Sequence, residues 1–288
     1  MGSDLTAPPP TPPAGGRGVR AALATATRAL TPVSDTPRLD AELLMAHALG
    51  LSREAMLLAH LDAPEPAAFA ALVARRLTHE PVAYITGRRA FWTIELTVGP
   101  GVLIPRPDSE TLIEAAIDDF GDRSPATILD LGTGPGTLLL AALSEWPGAR
   151  GLGVDASAAA LDYARGNADA LGLADRATFR LGDWAAGIGE RFDLILANPP
   201  YVATGDALPA DVGDHEPAAA LFAGADGLDD YRRIVPTLPA LIAPGGIAVL
   251  EIGATQGDAV AALAAAQGLS TALRHDLAGR PRALIVRR

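Results

Sequence analysis

Apolar residues recur at helical spacing in four early segments, Val19 to Leu30, Leu39 to Leu49, Glu54 to His60 and Ala67 to Leu77, with short breaks between them. In the second, Leu39, Leu43 and Ala46 fall on one face and Gly50 is placed to stop the helix. The four segments predict a small helical domain over 17–80, which serves either as a structural array or as a platform for recognising a partner. The pattern then changes. GRRAFWTIELTVGPGVLIP has β-rich runs punctuated by Gly99, Pro100 and Gly101, so 81–106 is expected to be a hairpin linker.

From PDSETLIEAAIDDF onward, 107–288 alternates between the two periods. Strands are expected at 127–131, 149–154, 177–181, 192–197 and 245–252, with helices at 137–145, 157–170 and 226–241. DAVAALAAAQGL adds a further helix, and STALRHDLAGRPRALIVRR two terminal strands joined at an Ala-Gly turn. The alternation predicts an α/β sheet covered by helices.

Three polar features sit at the ends of these strands. ILDLGTGPG places Gly132, Gly134 and Gly136, with Thr133 and Pro135 between them, directly after the first strand. Glycine permits a sharp turn and close approach to a ligand, and the following helix offers its N-terminus. Thr137 breaks the Gly-x-Gly-x-x-Gly dinucleotide fingerprint, and there is no Gly-Lys-Ser/Thr phosphate loop. Asp155 ends the second strand, 23 residues beyond Gly132, where a carboxylate can accept from two ribose hydroxyls or cap the next helix. Asp183 and Trp184 follow a third strand, suited to an adenine through a polar contact and an aromatic wall. Their order along the chain predicts one shared nucleotide-like pocket.

Composition narrows the partners. The 288 residues carry a net charge of −11, which weighs against a broad nucleic-acid-binding surface. The absence of cysteine excludes disulfides, thiolate metal sites and a cysteine nucleophile, and fits a reducing compartment. The five histidines, at 47, 60, 79, 215 and 275, show no ligand spacing. With no signal-peptide pattern and no long apolar span, a soluble cytoplasmic protein without a membrane partner is expected. The first 16 residues, including APPPTPPAGG, are expected to form a disordered tail.

The glycine loop, Asp155, the Asp183–Trp184 pair and the corner Asn198-Pro199-Pro200-Tyr201 together resemble the class I methyltransferases that use S-adenosyl-L-methionine. With RLDAELLMAHALG, PVAYITGRRAFW, GVLIPRPDSETLIE and ADGLDDYRRI added, the chain is similar to the release-factor glutamine methyltransferases over roughly 20–288. Pro135 and Ser109 stand where that family commonly has threonine. The resemblance implies a Rossmann-like catalytic domain joined by the hairpin to a smaller N-terminal helical domain. It implies that Gly132, Thr133, Gly134, Pro135 and Gly136 line the methionine portion of the cofactor, that Asp155 binds ribose and that Trp184 and Asp183 border adenine. Asn198 is expected to contact both cofactor and substrate.

The implied reaction methylates N5 of the glutamine in the Gly-Gly-Gln motif of peptide-chain release factors, leaves S-adenosyl-L-homocysteine and needs no metal. A glutamine amide nitrogen is a poor nucleophile, because its lone pair is delocalised, so alignment matters more than a strong base. The side-chain oxygen of Asn198 and the carbonyl of Pro199 can each accept an amide hydrogen. Pro199 and Pro200 stiffen the corner, and Tyr201 walls the glutamine chain. The same corner suits an adenine-N6 methyltransferase, and a non-catalytic binding protein on this fold is a third reading. Arg106, Asp108 and Glu110 read either as shaping the cofactor site or as a salt-bridged hinge and helix start, and Glu251 as support for the pocket.

Overall fold

The computed structural model describes residues 18–288, so the Pro-rich segment expected to be a disordered tail lies outside the described residues. Two compact units divide between Thr86 and Gly87.

The first unit holds α1 (Val19–Leu30), α2 (Pro37–Leu49), α3 (Arg53–Ala59), α4 (Phe69–Leu77) and α5 (Val82–Thr86). The first four are the periodic segments of the sequence. The fifth, at five residues, is too short to display a period. Its core gathers Val19, Leu30, Leu44, Met45, Met56 and Phe69. α2 stops at Gly50, whose φ of 66° is left-handed, and Ser52 caps α3 by accepting from the Ala55 N–H at 3.1 Å. A buried ion pair ties α2 to α4, with Arg76 Nε donating to Asp40 Oδ2 at 2.8 Å.

The second unit opens with the antiparallel hairpin of β1 (Arg88–Phe91) and β2 (Ile94–Thr97). There follow α6 (Glu110–Phe120), β3 (Thr127–Leu131), α7 (Thr137–Glu145), β4 (Arg150–Asp155), α8 (Ala158–Ala170), β5 (Ala177–Leu181) and β6 (Phe192–Ala197). The chain continues through α9 (Ala210–Gly213), α10 (Asp229–Ile234), α11 (Leu238–Leu241), β7 (Ile242–Glu251), α12 (Gly257–Ala265), β8 (Ser270–His275) and β9 (Pro281–Arg287). The sheet order is β5-β4-β3-β6-β7-β9-β8, parallel except for β9, which runs antiparallel to both of its neighbours. This is the α/β sheet anticipated from the alternation, in the Rossmann-like form that the family resemblance implied. Alternate strand residues explain both covered faces. Leu129, Ile195 and Ala248 join α10, α11 and α12 in one core, while Ile128, Leu194 and Ile247 point the other way, where α6 and α7 contact the sheet.

The single helix expected over 226–241 is broken. α10 passes into a 3-10 turn at Val235–Thr237 and then into the four-residue α11. Pro236 and Pro239 explain the break, since neither has an N–H to continue the ladder. Among the described residues no helix is long and apolar enough to cross a membrane.

Strand order turns outward in both directions from the β3–β6 pair, which makes their C-terminal ends a topological switch point. Register then decides which residues meet. Leu131 pairs with Val154 on one side and Ala197 on the other, so Gly132, Asp155 and Asn198 emerge side by side at one edge.

Candidate active site

A cavity of about 410 Å³ opens at that edge, with Gly132, Gly134, Asp155, Asp183, Trp184 and Asn198 among its walls. Its floor is the loop after β3. Gly132 has φ 73° and its N–H donates to the Val154 carbonyl at 2.8 Å, which turns the chain back over β4. The loop residues do not all face the cavity. Thr133 is buried and its hydroxyl donates to Asp130 Oδ2 at 2.6 Å, beneath the loop. The Pro135 carbonyl accepts from Asn167 Nδ2 at 2.9 Å on α8. Gly136 packs on α7, where an added Cβ would lie 2.7 Å from Leu140 Cδ1. These three shape the loop, while Gly132 and Gly134 present backbone to the cavity.

Asp155 braces the same loop. Its Oδ2 accepts from the Gly134 N–H and its Oδ1 from the Ser157 N–H, both at 2.8 Å. Each carboxylate oxygen retains acceptor capacity toward the cavity. The N-cap of α8 is Ser157, which accepts from the Ala160 N–H, so capping does not occupy Asp155.

Trp184 stands opposite Gly132 in a left-handed conformation, φ 47°. Its Nε1 donates to Asp230 Oδ1 at 3.1 Å, and Asp183 pairs with Arg233, both on α10. Burial raises the Asp230 carboxyl above its ordinary range against the opposing Trp184 hydrogen bond and Arg233 charge. Asp230 and Arg233 also line the cavity. Neither carried a site assignment in the sequence reading, where their segment served only the family resemblance. The signal that could have found them is the acidic first turn and basic last turn of the short helix α10.

The corner after β6 lies where two spaces meet. Asn198 borders the main cavity and also a second recess of about 230 Å³, lined by Pro199, Tyr201, Arg106, Leu208 and Glu251 among others. The Asn198 amide donates through Nδ2 to Ser109 Oγ at 3.2 Å. Tyr201 donates its hydroxyl to Glu251 Oε1 at 3.3 Å, and its carbonyl accepts from Gln256 Nε2 at 3.0 Å. Gln256 also holds the Gly227 carbonyl at 3.2 Å, a clamp that the sequence offered no pattern to reveal. Burial pushes the Glu251 carboxyl up to about 7, against a hydrogen bond from Ser109 and the charge of Arg282. Burial, then the neighbouring Glu251, raises the Tyr201 phenol well above its ordinary value.

The Arg-Pro-Asp-Ser-Glu segment is built into this wall. Arg106 pairs with buried Glu216, which also accepts from the Ile104 N–H at 2.9 Å. Asp108 accepts from Arg282 at 3.0 Å, and Glu110 accepts from the Trp92 N–H at 2.8 Å. Among the described residues no group of three or more His, Cys, Asp or Glu could hold a metal ion.

Residues 21–87 match the PrmC N-terminal domain family and 122–224 a methyltransferase domain family. The release factor glutamine methyltransferase of Rhodospirillum rubrum is 48% identical over 263 residues, covering 88% of this chain and 80% of its own. That of Mycolicibacterium smegmatis is 41% identical, covering 90% of this chain and 93% of its own. A solved methyltransferase from Pyrococcus furiosus superposes with a TM-score of 0.51 at 17% identity, covering 74% of this chain and 95% of its own, a likeness of fold.

Proposed function

The chain belongs to the release factor glutamine methyltransferase family, and on that premise we propose that it methylates N5 of the glutamine in the Gly-Gly-Gln motif of peptide-chain release factors. The observation that carries this reading is the position of Asn198, whose side-chain amide lies where the cofactor-sized cavity meets the recess beside it, with apolar Leu103 and Ala220 also bordering both.

The cavity residues fit S-adenosyl-L-methionine. Gly132 leaves room against Trp184 that a Cβ would fill, and the Asp155 carboxylate offers acceptors suited to ribose hydroxyls. Trp184 and Asp183 border the adenine, and the 132–136 loop supports the methionine portion, with Thr133, Pro135 and Gly136 fixing its shape. When bound, the cofactor supplies an electrophilic methyl group on a sulfonium and leaves as S-adenosyl-L-homocysteine.

The chain's own part is alignment. Because Asn198 Nδ2 is committed to Ser109, its Oδ1 is the atom left to accept an amide hydrogen from the glutamine. The Pro199 carbonyl accepts the second, and both acceptors stabilise positive charge that develops on nitrogen. Pro200 restricts the backbone, and Tyr201, fixed by Glu251 and Gln256, walls the recess. Recognition of the release factor is assigned to the helical segment 17–80 and catalysis to 107–288; of the linker expected over 81–106, Val82–Thr86 forms α5 of the first unit and the β1–β2 hairpin opens the second. On this reading the protein works in the cytoplasm.

Incubation of the purified chain with a release factor and S-adenosyl-L-methionine tests the assignment. Peptide mapping should find one methyl group on the Gly-Gly-Gln glutamine. An unmodified glutamine, with methyl groups found instead in DNA, would reject it.

A further inference from the structure

The two prolines that stiffen the acceptor corner also strip it of backbone donors, since neither Pro199 nor Pro200 carries an N–H. The corner's place therefore depends on the residues that flank it. Downstream, Val202 is pinned to the segment before α10: its N–H donates to the Leu221 carbonyl and its own carbonyl accepts from the Ala223 N–H, both at 2.9 Å. Between Val202 and the prolines, the Tyr201 carbonyl accepts from Gln256 Nε2 at 3.0 Å. The Gln256 amide can face only one way. Its Oε1 accepts from the Gly253 N–H at 3.0 Å, which leaves Nε2 to donate, and it donates to the Tyr201 carbonyl and, at 3.2 Å, to that of Gly227. Gly227 in turn backs directly onto the corner. At its φ of 72° a Cβ would fall 2.3 Å from the Tyr201 carbonyl oxygen and 2.7 Å from Gln256 Nε2. Rotation of a side chain cannot relieve an approach to a backbone carbonyl; the chain itself must move.

We propose that Gln256 and Gly227 are positioning residues for methyl transfer, which fix the Tyr201 carbonyl and through it the direction in which Pro199 offers its own carbonyl to the substrate amide. Three segments far apart in sequence, the exit of β6, the approach to α10 and the turn after β7, meet at the Tyr201 oxygen, two residues beyond the Pro199 acceptor. The restricted torsions of the two prolines transmit that placement with little slack. Gln256 supplies the donor that draws the Tyr201 carbonyl inward, and the missing side chain of Gly227 lets it come that far.

The inference rests on the acceptor role proposed for the corner, and the experiment separates the two. If the wild-type chain transfers no methyl group to the glutamine of a purified release factor, the functional reading fails and this inference with it. Where the wild type is active, Gln256→Met, close in size but without the three hydrogen bonds, should lower kcat on the order of tenfold. KM for the release factor and the calorimetric affinity for S-adenosyl-L-methionine should stay within about twofold. Gln256→Glu, assayed at about pH 8, keeps the acceptor for the Gly253 N–H and loses only the donor, so it should be as slow as Gln256→Met. A residue that merely shaped the turn after β7 would be rescued by that change. Gly227→Ala, from a separate segment, should show the same split, and its loss combined with that of Gln256→Met should be less than multiplicative, because both act on one carbonyl. Wild-type kcat in Gln256→Met, near-wild-type kcat in Gln256→Glu, or a fall in kcat matched by an equal fall in cofactor affinity would each overturn the inference while leaving the functional reading in place.

Discussion

The Trp184 indole lies so close over Gly132 that a Cβ on the glycine would sit 2.9 Å from its Cζ3 and 3.3 Å from its Cη2. Both partners are held left-handed, Gly132 at φ 73° and Trp184 at φ 47°. An alanine at 132 meets two obstacles, the indole and a backbone cost of about 1–2 kcal/mol for a left-handed L-residue. Gly132→Ala should therefore displace Trp184 and weaken S-adenosyl-L-methionine binding by roughly tenfold or more. Calorimetry checks this, and wild-type affinity would separate the contact from cofactor binding.

Much of this arrangement was legible in the order of residues, because strands of a parallel sheet deliver their ends to one edge. Gly132, Asp155 and the Asp183–Trp184 pair could be placed together once three strands were recognised, and the family resemblance added Asn198. Adjacency in the chain says less about direction: Thr133, Pro135 and Gly136 belong to the same loop, yet the turn at Gly132 points them at Asp130, Asn167 and Leu140. Partners that depend on folding were beyond reach. Arg233 meets Asp183 across 50 residues, and Asn198 meets Ser109 across 89. Periodicity over 226–241 also concealed the break at Pro236 and Pro239, since two prolines among apolar residues leave the hydrophobic pattern of a helix intact.

Asp155 joins the loop after β3 to the start of α8 through the Gly134 and Ser157 N–H groups. Asp155→Ala should lose these bonds together with the acceptors offered to ribose, each charge-assisted bond contributing about 1.5–3 kcal/mol. The expected result is weaker cofactor binding by at least about tenfold, with turnover at saturating cofactor less affected. Equal losses in affinity and saturated turnover would argue instead for a collapsed loop.

Asn198→Ala should show the reverse split. The variant loses one acceptor for the substrate amide but leaves Gly134, Asp155 and Trp184 in place, so turnover should fall by roughly 10²-fold while cofactor affinity changes little. Tyr201→Phe keeps the aromatic wall and removes only the hydroxyl donated to Glu251, so its turnover should lie between that of Asn198→Ala and wild type. Steady-state kinetics with release factor as the varied substrate distinguishes the three. A Tyr201→Phe enzyme slower than Asn198→Ala would shift the main role to the phenol.

Two buried carboxyls give stability a defined pH dependence. Burial pushes Asp130 from an ordinary 3.8 up to about 7 against hydrogen bonds from Thr133 and Leu139, and its Oδ1 has no partner among the described residues. Burial likewise pushes Glu251 from 4.5 to about 7. Between the ordinary and the raised values the folded chain binds more protons than the unfolded one, so ΔG of unfolding falls as pH rises. The associated stability is fully present below about pH 4 and is lost as pH passes through about 7. Other groups add their own slopes, so the comparison must be made between variants. Asp130→Asn keeps an oxygen for Thr133 and Leu139, and Glu251→Gln keeps one for Tyr201. Both remove a titration, so the stability of each relative to wild type should increase between pH 4.5 and 7.5, measured by urea unfolding at fixed ionic strength. A difference that stays constant across that range would mean the replaced carboxyl keeps its ordinary proton affinity in the fold.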